Sequence, residues 1–155
     1  SSMKIILVTF SIIASLSQLS SQNHDYKTMR DSLTRLSCKP SDSLTIAKSN
    51  QELLSLDTSL ITENIHLYYK DLAWSYSRLF NWSKDTTHVK KCIENLEKVS
   101  AHLPDSPSTY WELAFWHGFL KNCENSSFFL SKYIALSEEQ YLNYEQIERL
   151  RAKCE

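Results

Sequence analysis

Four cysteines are the side chains of this sequence with the clearest capacity for chemistry. They are Cys38, Cys92, Cys123 and Cys154, and no two of them lie within four residues of each other. The common zinc sites need closely spaced pairs of ligands, so these cysteines do not follow those patterns. An even number of cysteines is compatible with two disulfides in an exported chain, and free buried thiols are the alternative.

No other set of residues has the spacing that a catalytic or cofactor site requires. The single glycine excludes a glycine-rich phosphate-binding loop, and the chain has neither a Gly-x-Ser-x-Gly nor a His-Glu-x-x-His motif. Four of the five histidines are spread over the predicted helices without acidic residues at metal-ligand spacing: His66, His88, His102 and His117. We therefore expect no enzyme activity, no metal and no cofactor.

The charge of the chain argues against one class of partner. The formal net charge is −1, and lysine and arginine form no basic stripe along the sequence. Binding to nucleic acid needs clustered cations that neutralise phosphates. The sequence therefore predicts no nucleic-acid partner.

Residues 1–21 have the layout of a secretory signal peptide. Lys4 precedes the apolar run Ile5–Ala14, and small serines follow it. The run is shorter than the about 20 residues that span a bilayer, so we expect no stable membrane insertion once the signal is removed. A buried first helix is the alternative, and the two serines ahead of Met3 are interpreted as a cloning scar. The sequence thus predicts an exported protein, periplasmic or secreted, with residues 22–155 as one domain.

The elements that position the remaining side chains are predicted to be helices. One glycine and three prolines are too few turn formers for an antiparallel β protein. Apolar residues recur instead at helical spacing between short polar breaks. The pattern predicts helices at about 23–37, 42–56, 59–80, 86–102, 107–121, 125–136 and 138–154.

Four of the predicted helix starts have capping signals. Ser41 or Asp42 can cap the second helix. Asp85 or Thr86 can cap the fourth helix. Ser106 can be the N-cap of the fifth helix, with Pro107 at the first helical position, where its missing N–H costs nothing. Residues 137–140, Ser-Glu-Glu-Gln, have the pattern of a capping box for the last helix.

An eight-residue pattern occurs twice, at 69–76 (YKDLAWSY) and at 110–117 (YWELAFWH). Each copy has an aromatic residue, Leu-Ala at the fourth and fifth positions, and an aromatic residue or histidine at the end. The pattern resembles the first helix of a tetratricopeptide repeat, in which the small alanine lets the second helix of the hairpin approach closely. Residues 59–137 thus resemble two tetratricopeptide units, and residues 138–154 resemble the helix that ends such arrays. Residues 23–57 are a candidate third hairpin that matches poorly.

The resemblance implies an all-α fold, a right-handed stack of antiparallel helical hairpins that forms an α-solenoid of about seven helices. The first unit is about seven residues longer than the 34 or so of a standard repeat, which leaves the number of repeats open. His117 takes an aromatic position of the motif, so we expect it to pack in the core.

In tetratricopeptide proteins the first helices of successive hairpins line a concave groove that takes an extended peptide or a helix. Aromatic and arginine side chains are frequent anchors of such interfaces. A partner with an apolar stripe and a nearby carboxylate would fit the groove that the resemblance implies here. Its groove-facing positions are Lys70, Trp74, Ser77 and Arg78 in the first unit, and Trp111, Phe115, Gly118 and Phe119 in the second.

Two questions stay open at these positions. Trp74 and Phe115 adjoin the Leu-Ala step, so packing in the core is the alternative to a place in the groove. Gly118 is the only glycine of the chain, and in mid-helix it costs about 1 kcal/mol relative to alanine. Either a neighbouring helix or the backbone of a ligand is therefore expected to approach closely there.

The stacked hairpins also predict which cysteines pair. The last helix should run parallel to the helix at 107–121, because one helix intervenes, and this places Cys154 beside the turn that carries Cys123. Closing a loop of about 30 residues would stabilise the fold by roughly 3–4 kcal/mol in the chain-entropy model. Cys38 and Cys92 remain as a second pair, with free buried thiols as the alternative.

The function that this reading implies is binding. We expect a monomeric, non-catalytic module of an exported protein, whose aromatic groove binds a peptide or a segment of another protein. A dedicated inhibitor, such as an immunity protein that neutralises an exported toxin, is the alternative hypothesis. A small enzyme is the third.

Overall fold

A computed structural model of the chain describes residues 26–28, 30, 31, 43–61 and 64–154. All regular structure in these residues is helical, which confirms the predicted all-α fold. Residues 26–28, 30 and 31 are helical. The longer helices are α1 (Ser43–Leu54), α2 (Ile65–Ser83), α3 (Thr86–His102), α4 (Pro107–Phe119), α5 (Cys123–Leu136) and α6 (Tyr144–Arg151).

Two of the predicted features cannot be compared with the structure, because their residues are not among those described. The predicted signal peptide, at 1–21, lies outside the described residues, as does Cys38. None of the described helices is both long and apolar enough to cross a membrane. The right-handed sense of the stack stays a prediction.

Two antiparallel hairpins form the centre of the fold, α2 with α3 and α4 with α5. Lys84 and Asp85 alone join the first pair, and Leu120, Lys121 and Asn122 join the second. Lys84 and Lys121 have φ values of 58° and 59°, in the left-handed region that ends many helices and that glycine usually occupies. Lysine adopts this conformation in both turns. Because the turns are short, the second helix of each pair folds back against the first.

The first helices of the two hairpins, α2 and α4, meet through aromatic side chains near their C-terminal ends. The ring of Phe80 on α2 meets the edges of Trp116 and Phe119 on α4, at centroid distances of 5.9 and 5.0 Å. Tyr110 and Leu113 of α4 belong to the same buried cluster as Phe80. The repeated motif therefore corresponds to a repeated position in the structure.

The Leu-Ala step of the motif is buried in both copies. Leu72, Ala73, Leu113 and Ala114 are between 0% and 3% exposed. Both helices of the first unit are longer than their counterparts, since α2 has 19 residues and α4 has 13, while α3 has 17 and α5 has 14. The small alanines lie where two helices approach each other, as the motif predicts.

Two helix starts differ from the prediction. The helix expected from about residue 59 begins only at Ile65, after a 3-10 turn at Thr58–Leu60. The carboxylate of Asp57 accepts the N–H of Ser59 at 3.0 Å, and Asn64 has a left-handed φ of 56°. These two local features interrupt the helical pattern that the apolar spacing suggests.

The capping box predicted at 137–140 is wrong. The hydroxyl of Ser137 donates to the carbonyl of Tyr133 at 2.7 Å, and Ser137 is the C-cap of α5 rather than the N-cap of a following helix. The chain instead makes a 3-10 turn at Glu139–Tyr141, and α6 begins after Asn143. The side-chain oxygen of Asn143 accepts the N–H of Gln146 at 3.1 Å, which makes Asn143 the N-cap.

The other capping predictions agree better. Asp85 caps α3, and its carboxylate accepts the N–H of Thr87 at 2.9 Å. Ser106 and Pro107 stand at the N-cap and the first turn of α4 as predicted, although Ser106 makes no side-chain capping bond. Pro107 therefore supports this helix start through its fixed φ and its missing donor.

The N-terminal helical residues and α1 cover the other side of α2. Asn50 on α1 donates to the hydroxyl of Ser75 at 2.7 Å. The hydroxyl of Tyr68 donates to the carbonyl of Leu53 at 2.9 Å, and the ring of Tyr26 packs edge-on against Tyr68 at 5.8 Å. The helical residues described before α2 therefore pack against it, and the candidate third hairpin at 23–57 stays a prediction because most of residues 29–42 lie outside the described part of the chain.

A disulfide attaches α6 to the second hairpin. Cys123 at the start of α5 and Cys154 after α6 are bonded, with their Cα atoms 5.4 Å apart, which confirms the predicted pair. Ile147 and Leu150 of α6 are 1% and 2% exposed, and they pack with residues of α4 and α5. The remaining candidate pair is not formed, because Cys92 has a free, buried thiol.

At Gly118 the side chain of Leu150 on α6 closely approaches the backbone of α4. A Cβ atom at this position would lie 2.7 Å from Leu150 Cδ1 and 3.0 Å from Ser126 Oγ. Neighbouring helices therefore account for the missing side chain at Gly118. This outcome removes Gly118 from the predicted groove-facing set.

Removal of the disulfide should destabilise the protein strongly. For the variant Cys123→Ser/Cys154→Ser we expect the free energy of unfolding to fall by about 3–4 kcal/mol, because the open chain gains conformational entropy when it unfolds. Urea unfolding with and without a dithiol reductant measures this. The reductant should lower the midpoint of the wild type and leave that of the variant unchanged. Equal wild-type midpoints under both conditions would contradict the prediction.

The close approach at Gly118 can be tested with a double-mutant cycle. Gly118→Ala gains about 1 kcal/mol of helix propensity but overpacks the α4–α6 contact at a cost of about 1–3 kcal/mol. We expect it to destabilise the wild type and to lose at least about 1 kcal/mol of this cost in a Leu150→Ala background. Thermal or urea unfolding of the four proteins gives the coupling. Additive effects would show that Leu150 does not limit the space at Gly118.

Candidate functional site

A cleft with two adjoining halves runs between α4 and α6. We call it the α4–α6 cleft, and its halves share Trp111 and Gln146. The wide half has a volume of about 480 Å³ and the narrow half about 350 Å³. The wide half is lined by Pro107, Ser108, Trp111, Tyr133, Leu136, Ser137, Glu138, Tyr141, Asn143 and Gln146. The narrow half is lined by Trp111, Phe115, Gln146, Arg149, Leu150 and Lys153.

The cleft exists because α6 is too short to cover α4. α6 has eight residues and α4 has 13, and only Ile147 and Leu150 of α6 are buried. Trp111 and Phe115 are four residues apart, so they lie on one face of α4. Both remain half-buried at the edge of the area that α6 covers.

The aromatic floor of the cleft is held in place by neighbouring rings. Trp111 contacts Tyr133 of α5, with ring centroids 5.2 Å apart. Phe115 contacts Trp116 at 5.0 Å in an edge-to-face arrangement. Rings packed in this way lose little freedom when a ligand binds, which favours a role as interface anchors.

Charges of opposite sign lie at the two ends of the cleft. At the narrow end the amine of Lys153 lies over the ring of Phe115, 4.9 Å from its centroid, and Arg149 pairs with Glu145 at 2.6 Å. At the wide end the carboxylate of Glu138 accepts a hydrogen bond from Gln140 at 2.8 Å. The cleft is therefore apolar in the middle and polar at both ends.

The structure brings together only part of the predicted groove. Trp111 and Phe115 line the α4–α6 cleft. Phe119 packs instead on Phe80 and Trp116 and stays 39% exposed. The residues of the first unit, Lys70, Trp74, Ser77 and Arg78, lie on α2 and line neither half of the cleft.

The predicted residues on α2 form a separate group. The guanidinium of Arg78 lies over the ring of Trp74, 5.4 Å from its centroid. Ser77 donates to the carbonyl of Trp74 at 2.7 Å, within the helix. Trp74 is half-buried against the cluster that contains Leu72, so it belongs partly to the core. Lys70 is exposed and opposes, electrostatically, the effect of burial that raises the pKa of Glu112 on α4.

The residues on the α6 side of the cleft were not predicted from the sequence. Gln146, Arg149 and Lys153 are spaced by three and four residues, the spacing of one helical face. That spacing is visible in the sequence, but it runs beside the apolar stripe of the same helix. Only the way in which α6 docks shows that the polar flank faces Trp111.

The nucleophilic and basic side chains of the core are poorly placed for catalysis. Burial raises the pKa of the Cys92 thiol to about 12, with a smaller contribution from Glu112, so the thiolate is scarce at neutral pH. His117 is 6% exposed and stacks on Phe129 at 5.4 Å. Neither ring nitrogen of His117 has a hydrogen-bond partner among the described residues.

His117 packs in the core, as its place in the motif predicted. The equivalent residue of the first unit, Tyr76, likewise stacks on a ring of the second helix of its own hairpin, His88, at 6.1 Å. Across 26–28, 30, 31, 43–61 and 64–154, no three His, Cys, Asp or Glu residues lie close enough to hold a metal ion.

Comparison with known proteins gives no match. No protein-family model matches the chain, and no curated protein sequence or solved structure is significantly similar to it. The resemblance to tetratricopeptide repeats therefore stays a prediction from the residues of the motif.

The burial of His117 predicts a pH dependence of stability. Burial lowers the pKa of His117, against a smaller opposing effect of Glu97. The unfolded chain therefore takes up a proton at about pH 6.5, where the folded protein does not, and stability is lost as the pH falls through this value. Replacing His117 with phenylalanine should remove this part of the loss.

Chemical denaturation between about pH 7 and pH 5 measures the effect. The exposed His102, replaced with phenylalanine, is the matched control and should keep the pH dependence of the wild type. A His117→Phe variant that loses as much stability as the wild type over this range would contradict the prediction.

Proposed function

We propose that this protein is a non-catalytic binding module that takes a segment of another protein in the α4–α6 cleft. The observation that carries the proposal is the pair Trp111 and Phe115, two half-buried aromatic side chains on the floor of an open cleft. Large rings in partly desolvated positions are the typical anchors of protein interfaces. A tetratricopeptide-like array of hairpins is the proposed scaffold for this cleft.

The shape and lining of the cleft favour a chain segment as the ligand. The eight residues of α6 extend roughly 12 Å along the cleft at about 1.5 Å per residue. Ser108, Asn143 and Gln146 stand along its edges, where they can bond the N–H and C=O groups of an extended peptide. A peptide needs such partners because its unpaired backbone groups are costly to bury.

The proposed setting is an oxidising compartment, periplasmic or extracellular. The disulfide Cys123–Cys154 holds the helix that forms one wall of the cleft. Such bonds persist in exported proteins and are rare in the cytosol. The cleft would therefore be complete only after export, and we propose that the protein acts there as a monomer.

The aromatic floor can be tested by paired tryptophan substitutions. Trp111→Ala should weaken binding to partner segments by at least about tenfold, because hot-spot truncations typically cost more than about 1.4 kcal/mol. Trp82→Ala is the matched control, since Trp82 is 56% exposed and lines neither half of the cleft. Selection of binding peptides from a displayed library, followed by titration of the selected peptides, gives the affinities.

Comparison of the two variants shows whether the selected peptides bind in the α4–α6 cleft. Peptides that lose binding to Trp111→Ala and keep it with Trp82→Ala support the proposal. Peptides that bind both variants like the wild type would place the binding surface elsewhere. Circular dichroism of both variants must show the helical content of the wild type.

A further inference from the structure

The two ends of the α4–α6 cleft differ in charge, and this difference limits the segments that fit. The wide half contains one charged side chain, the acidic Glu138. The narrow half contains two, and both are basic: Arg149 and Lys153. A third cation adjoins the narrow end, because the amine of Lys121 donates to the backbone carbonyl of Lys153.

These charges are not equally available to a partner. Arg149 already pairs with Glu145, and both side chains are 74% exposed. Lys153 contacts the face of Phe115 through its amine, so a carboxylate can approach it from the side away from the ring. Lys153 is therefore the principal cation of the narrow end, and Glu138 is the principal anion of the wide end.

The apolar part of the cleft lies between these charges. Trp111 lines both halves and so lies at their junction. At about 3.3 Å per residue, an extended segment of roughly four or five residues spans the roughly 12 Å of α6. Side chains of such a segment alternate between the cleft and solvent, so about two or three of them point inward.

We infer that the α4–α6 cleft selects an extended segment in which an apolar side chain lies between a basic and an acidic residue. The apolar side chain packs on Trp111 and Phe115, the basic residue faces Glu138, and the acidic residue faces Lys153. This inference rests on the proposed function and adds the chemical class of the partner. Charges at the rim of an interface determine which partner is chosen more than how tightly it binds.

Single charge reversals test the inference whichever way the peptide runs. Lys153→Glu replaces the principal cation of the narrow end with an anion, although Arg149 remains there, and Glu138→Lys replaces the only charged side chain of the wide half with a cation. Lys90→Glu and Glu94→Lys are matched controls, since both positions are exposed on α3 and line neither half of the cleft. Each disulfide-bonded protein is used to select binders from the same displayed library of random octapeptides.

The expected result is a change in the charge of the selected peptides. The wild type should select peptides with one basic and one acidic residue around an aromatic or aliphatic residue. Lys153→Glu should replace the acidic residue with a basic one, and Glu138→Lys should do the opposite. The control variants should select peptides like those of the wild type, although they change the net charge by the same amount.

A titration gives the size of the effect. Lys153→Glu should weaken binding of a wild-type-selected peptide by about threefold to tenfold at low salt, and the difference should disappear at about 1 M salt. Peptides that depend on Trp111 but show no charge preference, or the same preference with Lys90→Glu as with Lys153→Glu, would overturn this inference and leave the proposed function standing. Peptides that bind Trp111→Ala as well as the wild type would overturn both.

Discussion

The structure depends on the need to cover α4 on nearly all sides. Of its 13 residues only Glu112 is acidic and only His117 is basic, and a helix that is apolar nearly all round is stable only when buried. Tyr110 and Leu113 pack with the first hairpin, while Ala114 packs with α5 and α6. The first hairpin, α5 and α6 are thus arranged around one central helix.

This constraint explains why the polypeptide continues beyond the second hairpin. Without α6, the surface of α4 beside Gly118 that Leu150 now covers would face water. An isolated helix of eight residues is unstable, because nucleation of the first turn is costly. Ile147 and Leu150 supply its buried contacts, and the disulfide keeps it near its docking surface. The close contact at Gly118 shows how little space remains between the two helices.

The neighbouring helices do not cover α4 completely, and the cleft lies along the part of α4 that stays uncovered. Trp111 and Phe115 lie at the edge of the surface that α6 covers. The same few residues therefore take part in stability and in the proposed binding. Reduction of the disulfide would therefore affect the cleft through α6.

The sequence predicted the helices well wherever a local interaction decides the outcome. Asp85 caps α3 through a bond to an amide two residues away, and such a bond needs no tertiary structure. The predicted start of α6 was wrong. The sequence offers both Ser137 and Asn143 as N-cap residues for this helix. The hydroxyl of Ser137 bonds the carbonyl of Tyr133, and Asn143 caps the helix instead. Composition and spacing do not show which of the two residues becomes the N-cap.

The candidate site likewise has features that the sequence predicts and features that only the tertiary structure shows. Sequence by itself determined that the chain is helical, that a motif recurs at Tyr69 and Tyr110, and that Cys123 can meet Cys154, because all three follow from periodicity and from the order of the helices. Only the tertiary structure decided that Trp111 and Phe115 face the polar flank of α6 while Phe119 packs on Phe80. The physical reason is that an amphipathic pattern specifies which face of a helix is buried, whereas the side chains that meet across a gap depend on the lengths and docking of two helices distant in sequence.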